Sequence, residues 1–102
     1  MSKASILSYL GLARKAGKLS VGFAASKEAC LKRKAKFVCV ASDISEKSEK
    51  EIRYFSGGKC QVERIPYTID EVTKSIGTKA GIVAVCDDGF AKVLSELTQN
   101  AD

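Results

Sequence analysis

The chain has 102 residues, 45% hydrophobic and 28% charged, the balance of a single folded domain rather than a disordered tail. Seventeen Lys/Arg against twelve Asp/Glu leave +5, and the absence of histidine removes the commonest general base near neutral pH. The apolar runs are far too short to span a bilayer and no charged-then-apolar leader precedes Ile6, so a cytoplasmic protein with no membrane contact is expected.

Ser2 to Ala16 is expected to be helical, because Ile6, Leu7, Leu10 and Ala13 form an apolar stripe at helical spacing and Gly17 offers a left-handed C-cap. Leu19-Ser20-Val21 is a very short strand that Gly22 breaks. A second helix follows to about Arg33, with Ser26, Ala29 and Cys30 inward. Phe37 to Ala41 is apolar without alternation, the pattern of a central strand covered on both faces. Ser42-Asp43-Ile44-Ser45 supplies capping side chains for a helix of about Ser45 to Phe55, whose thin stripe is Ser48, Ile52 and Phe55. Gly57-Gly58 ends it.

Gln61 to Ile65 reads as the next strand, closed by Pro66. Thr68 and Glu71 form a capping box for a helix that turns Ile69, Val72 and Ile76 inward and stops at Gly77. Ile82 to Cys86 is a second fully apolar strand. Asp87-Asp88-Gly89 then leads into a last helix with Phe90, Val93, Leu94 and Leu97 on one stripe. Strands alternating with helices predict an α/β fold: a three-layer α–β–α sandwich around a four-stranded mixed, mostly parallel sheet, with residues 1–102 as one domain. Val38, Val40, Val83 and Val85 are expected in its core, with Phe90 and Leu94 packed over them.

The chemistry of the chain points away from catalysis. Asp87, Asp88 and Asp43 sit where carboxylates cap helices. The phosphate-cradling patterns G-x-x-x-x-G-K-[ST] and G-x-G-x-x-G are missing. Cys30, Cys39, Cys60 and Cys86 are spaced by 9, 21 and 26 residues, which is no zinc pattern, so they read as core packing. No cofactor and no metal are expected, and the protein is not read as an enzyme.

The charge, by contrast, is one-sided. Nine Lys/Arg and one acid up to Lys36 give that segment +8, while the remaining 66 residues carry −3. Such a field attracts polyanions, and in a compact cytosolic domain the usual one is nucleic acid. Two strand–helix boundaries join small residues to a lysine: Gly22 to Glu28, and Ile76-Gly77-Thr78-Lys79-Ala80-Gly81. Small residues let a protein backbone approach an RNA backbone closely, and a helix N-terminus presents free N–H groups to phosphate.

Three segments carry a family resemblance: Leu10-Gly11-Leu12-Ala13-Arg14-Lys15-Ala16-Gly17-Lys18, Lys34-Ala35-Lys36-Phe37-Val38-Cys39-Val40-Ala41-Ser42-Asp43, and Ser75-Ile76-Gly77 with the later run Ile82 to Ala91. They resemble, in order and over nearly the whole chain, the bacterial YlxQ-like group, stand-alone relatives of the archaeal ribosomal protein "L-seven-Ae". The resemblance implies an α–β–α sandwich that binds kink-turn RNA, a sharply bent helix–bulge–helix element. It also implies that the junction after the first short strand enters the widened groove at the kink, and that a partly apolar loop before the last strand packs on the extruded nucleotide. Carried over, these are Gly22 to Glu28 and about Ile76 to Gly81. The family's best-known junction, Gly-x-Asn-Glu-x-x-Lys, is met here by Gly22, Ala24, Ala25 and Glu28, so two base-reading side chains are alanine and the phosphate-binding lysine is a carboxylate.

The expected function is therefore a non-enzymatic RNA-binding protein, monomeric, whose partner is a structured RNA such as a kink-turn or ribosomal RNA, with the ribosome as a further partner. The expected RNA contacts are Lys18, Gly22, Phe23, Ala24, Ala25, Lys27, Glu28, Lys32, Arg33, Ile76, Thr78, Lys79, Ala80 and Gly81. The alternative is a protein-interaction module that kept the fold and lost specific kink-turn readout.

Overall fold

The computed structural model describes residues 4–100. Its elements run α1 (Ala4–Lys15), β1 (Leu19–Val21), α2 (Phe23–Leu31), β2 (Phe37–Val40), α3 (Glu46–Ser56), β3 (Gln61–Arg64), α4 (Ile69–Ile76), β4 (Ile82–Val85) and α5 (Asp88–Asn100). The start of the first predicted helix, Ser2 and Lys3, lies outside the described residues. The local signals act as expected. Gly17, Gly57 and Gly77 take left-handed conformations after α1, α3 and α4. The Ser45 side chain accepts from the Ser48 amide, and the Thr68–Glu71 capping box is complete.

The sheet order is β1-β4-β2-β3. The expectation of a mostly parallel sheet is corrected here: β2 and β3 pair in parallel, but β4 pairs antiparallel with both β1 and β2. The reason lies in α4. Its first amide, Ile69 N–H, donates to Asp43 Oδ1 at 2.8 Å, just beyond the end of β2. The loop after it brings the Gly81 carbonyl to the Ala41 amide at 2.8 Å, at that same end. The chain leaves β3 and re-enters the sheet at one end, so β4 must run backwards between β1 and β2. A parallel return would need a connection spanning the sheet's full length.

Both central strands are buried along their whole length because helices cover both faces. Phe37, Cys39, Val83 and Val85 face α1, α4 and α5, where Ile6, Leu10, Val72, Ile76, Leu94 and Leu97 complete one core. Val38, Val40, Ile82 and Ala84 face α2 and α3, packed with Ala29, Cys30, Ile52 and Val62. Phe90 and Leu94 therefore cover Val83 and Val85 but not Val38 and Val40, which belong to the other layer. The inward face of α2 is Ser26, Ala29 and Cys30, as its sequence predicts. Burial pushes the Cys39 thiol up to about 12, with Glu63 adding to it, and the Cys30 thiol up to about 11, with Cys60 adding to it. Both remain protonated hydrophobes.

Candidate nucleic-acid interface

The two segments singled out in the sequence meet at one end of the sheet. Because β1 and β4 are antiparallel, the end of β1 lies beside the start of β4, and the Gly22 amide donates to the Ile82 carbonyl at 2.8 Å. Gly22 sits at φ 96 and ψ 167, a region that only glycine adopts readily. This sharp corner turns the chain from the strand into α2 with no side chain in the way. The first amides of α2 lack an intrahelical acceptor, as in any helix, and point out of this end. Ala24 and Ala25 on that first turn are exposed, while Phe23 is half-buried against the α2/α3 core. Ser26, fully buried, donates its hydroxyl to the Ser20 carbonyl at 3.2 Å and pins the helix to β1.

The loop from Gly77 to Gly81 forms the other half of this surface. Gly77 caps α4, its amide donating to the Thr73 carbonyl at 2.8 Å. At Gly81 the constraint is space: a Cβ there would come within 2.6 Å of Ile44 Cδ1 and 2.9 Å of Ile69 Cγ1. Ile76 and Ala80 are buried and anchor the loop, so Thr78 and Lys79 are the side chains it exposes. Arg14, from the last turn of α1, donates to Thr78 Oγ1 at 3.2 Å and adds a second cation beside Lys79. The sequence reading missed Arg14 as a site residue. It lies 64 positions from its partner, and only the packing of α1 along α4 brings it there.

Residues 4–95 match the model of the ribosomal protein L7Ae/L30e/S12e/Gadd45 family. The chain belongs to that family. It is 32% identical over 97 residues to the RNA-binding protein YlxQ of Enterococcus faecium, covering 91% of this chain and 90% of the relative. It is likewise 32% identical over 89 residues to the large ribosomal subunit protein eL30 of Yarrowia lipolytica, covering 84% and 82%. Among solved structures, a Bacillus halodurans protein described as of unknown function superposes with a TM-score of 0.89 at 25% identity, over 95% of this chain and 99% of that one. The Giardia lamblia 15.5 kD RNA-binding protein shares the fold, with a TM-score of 0.74 at 12% identity over 94% and 83%.

The remaining sequence-predicted contacts of this family member do not all lie at the junction. Lys27 turns toward α3, its ammonium 4.4 Å from the centre of the Phe55 ring. Glu28 points down α2 to Lys32, Oε1 to Nζ 2.9 Å, and the Lys32 hydrogen bond holds its carboxyl below the usual range. Lys32 and Arg33 lie past the last turn of α2, roughly 15 Å from Gly22 at about 1.5 Å per residue. Lys18 borders the far end of β1, where its carbonyl accepts from the Cys86 amide at 2.8 Å. The junction end thus gathers Gly22 to Ala25 with Thr78, Lys79 and Gly81, and the opposite end holds Lys18, Lys32 and Arg33. Asp43 and Asp87 serve as caps, accepting from the amides of Ile69 and Phe90 at 2.8 and 2.9 Å. No helix among the described residues is long and apolar enough to cross a membrane. Nor do those residues include a group of three or more His, Cys, Asp or Glu able to hold a metal ion.

Proposed function

We propose that this family member is a non-enzymatic, cytoplasmic RNA-binding protein that holds a structured RNA, a kink-turn or ribosomal RNA, at the end where the Gly22 junction and the Thr78–Gly81 loop converge. The observation that carries the reading is the Gly22 amide bonded to the Ile82 carbonyl, which joins two small-residue segments 60 positions apart into one surface. That surface offers backbone N–H donors, small exposed side chains at Ala24 and Ala25 beside the half-buried Phe23, and two cations, Arg14 and Lys79, at its edge. Backbone amides and cations grip phosphates irrespective of sequence, so shape selects the RNA. The names of the YlxQ and eL30 relatives support an RNA ligand and, for eL30, a ribosomal setting.

The test is the affinity of the single 102-residue chain for a kink-turn RNA beside an unbent duplex of equal length, at two salt concentrations. Tighter binding to the bent RNA that weakens steeply with salt is expected. Equal, weak binding to both removes the junction as a reader of RNA shape. The replacement of the family's base-reading Asn and Glu by Ala24 and Ala25 favours a second reading, a protein-interaction module using the smooth Phe23-Ala24-Ala25 surface. A partner held there regardless of salt would establish it.

A further inference from the structure

The densest positive charge on the molecule lies away from the junction. At the C-terminal end of α2, Lys32, Arg33, Lys34 and Lys36 crowd into five positions, all exposed. The backbone fixes them there. The amides of Arg33 and Lys34 donate to the carbonyls of Cys30 and Ala29 at 3.1 and 2.8 Å, and the Lys36 amide donates to the Val85 carbonyl at 2.8 Å, at the far end of β4. Lys32 is engaged with Glu28. Among the described residues, Arg33, Lys34 and Lys36 enter no salt bridge.

Basic residues after a helix have an ordinary role, because they complement the negative end of its dipole. Two features go beyond it. Arg33 has φ 58 and is the one non-glycine residue with positive φ among the described residues. After α1, α3 and α4 the left-handed position is filled by glycine, as is usual at that site, whereas α2 accepts backbone strain to place a guanidinium there. Lys36, for its part, lies on the link to β2, directly before its first residue.

The second feature is a groove of about 180 Å³ between β1 and α2, lined by Ser20, Ala25, Glu28, Ala29, Lys32 and Lys34. Ala25, Glu28, Ala29 and Lys32 follow one stripe of α2, so the groove leads from the exposed alanines of the junction to the basic turn.

We infer that the C-terminal turn of α2 is a second RNA contact. Arg33, Lys34 and Lys36 hold the phosphates of a stem whose bent portion sits at the Gly22 junction. The inference rests on the RNA reading proposed above. A guanidinium presents a planar fork that matches phosphate oxygens in pairs, which suits the exposed Arg33 to a phosphate contact. RNA is favoured over an acidic protein because a protein interface needs a desolvated apolar anchor cluster. Of the exposed large apolar side chains, Leu31 alone belongs to this turn.

The experiment compares the full chain with the variant Arg33→Gly, Lys34→Gln, Lys36→Gln on two kink-turn RNAs. One has arms just long enough to fill the junction; the other has one arm extended past about ten base pairs. The variant should bind the long-armed RNA about tenfold or more weakly, with a log affinity against log salt slope shallower by about two to three. It should keep the short-armed RNA unchanged. Arg33→Gly alone should leave the melting temperature unchanged or raised, since glycine fits the left-handed position. Unchanged binding of the long arm, or equal losses on both RNAs, overturns the second contact. Retained RNA binding together with lost binding of a polyglutamate probe assigns the turn to an acidic protein and overturns it too. If the unmodified chain binds neither RNA, the RNA reading itself falls with it.

Discussion

The amide of Gly22 and the carbonyl of Ile82, 2.8 Å apart, are the hinge on which the candidate interface is assembled. This bond closes the β1–β4 ladder at the point where the chain turns into α2, and its geometry depends on a backbone conformation of φ 96 and ψ 167. A Cβ at Gly22 would meet no neighbour within 4 Å, so the obstacle there is conformational and not steric. Gly22→Ala should therefore destabilise the fold by about 1–3 kcal/mol, the cost of holding a non-glycine residue in that region. Chemical denaturation reads it as a lower midpoint with unchanged slope. A midpoint equal to that of the unmodified protein would mean the corner relaxes without loss.

Burial in the central strands gives a second, independent expectation. Val40 is 0% exposed in the layer beneath α2 and α3, beside Ile52 and Ile82. Val40→Ala removes two methyl groups from a closed core and should cost roughly 1–3 kcal/mol. Val40 pairs with Ile82 at the junction end of the sheet, but its side chain is wholly buried, so RNA binding at temperatures where the variant stays folded should be untouched.

An acid-side prediction comes from Glu49. It accepts from Arg64 Nε at 3.1 Å and Arg53 Nε at 3.0 Å, and the Arg64 hydrogen bond, opposed by partial burial, holds its carboxyl below the ordinary value of 4.5. A depressed carboxylate stabilises the fold above its unfolded pKa, and that contribution is lost as pH falls through the folded value. Glu49→Gln should thus lower stability at pH 7 by up to about 1 kcal/mol, since both arginines remain partly exposed. In strong acid the variant and the parent should converge. Thermal melts at pH 7 and at pH 2–3, chosen to bracket the usual carboxylate range, check the sign.

The boundaries of the helices were legible because their caps are local: Ser45, Thr68 with Glu71, Gly57 and Gly77 each act within four residues of their own position. The two-sided burial of β2 and β4 was legible for the same reason, since a run without polar alternation needs cover on both faces. The direction of β4 was not. It is decided by where α4 begins and ends relative to the sheet, through Asp43 to Ile69 and Gly81 to Ala41, contacts that no short window contains. The site was legible in part. Gly22 to Ala25 and the 76–81 loop stand out separately in the sequence and are joined there only by what the family resemblance implies. In the fold they meet through the β1–β4 pairing. The lysines of α2 divide by helix position, and Lys27 is drawn to the Phe55 ring on α3.

That division makes the charge contributions at the junction separable. Arg14→Gln with Lys79→Gln removes the two cations flanking the Thr78 loop and should flatten the salt dependence of RNA binding by about one to two units. Lys27→Gln should leave that slope unchanged and instead cost about 0.5–1 kcal/mol of stability, through the lost cation–π contact. A slope that responds to Lys27 and not to Arg14 and Lys79 would show that the lysine leaves Phe55 to meet phosphate when RNA arrives.

The departed motif supplies the sharpest test. Ala24 and Ala25 are exposed on the first turn of α2, where family resemblance implies an Asn and a Glu that read base edges, and Glu28 stands in the place of a phosphate-binding lysine. Bidentate base contacts contribute roughly 1–3 kcal/mol each to discrimination, so the parent chain should separate a kink-turn from an unbent duplex only by shape. Ala24→Asn with Ala25→Glu and Glu28→Lys should widen that preference by about tenfold or more, equivalent to at least one such contact. The Glu28 change should also raise affinity for every RNA, because it removes a negative charge and frees Lys32 from the 2.9 Å ion pair that now occupies it. Competition binding of the two RNAs against parent and triple variant separates these effects: selectivity reports the Asn and Glu, and general affinity reports the lysine. If the parent already prefers the kink-turn as strongly as the triple variant does, side chains at positions 24 and 25 are not readers. Recognition then rests on the backbone amides of Gly22 to Ala25 and on the Thr78 to Gly81 loop, held together by the Gly22–Ile82 bond.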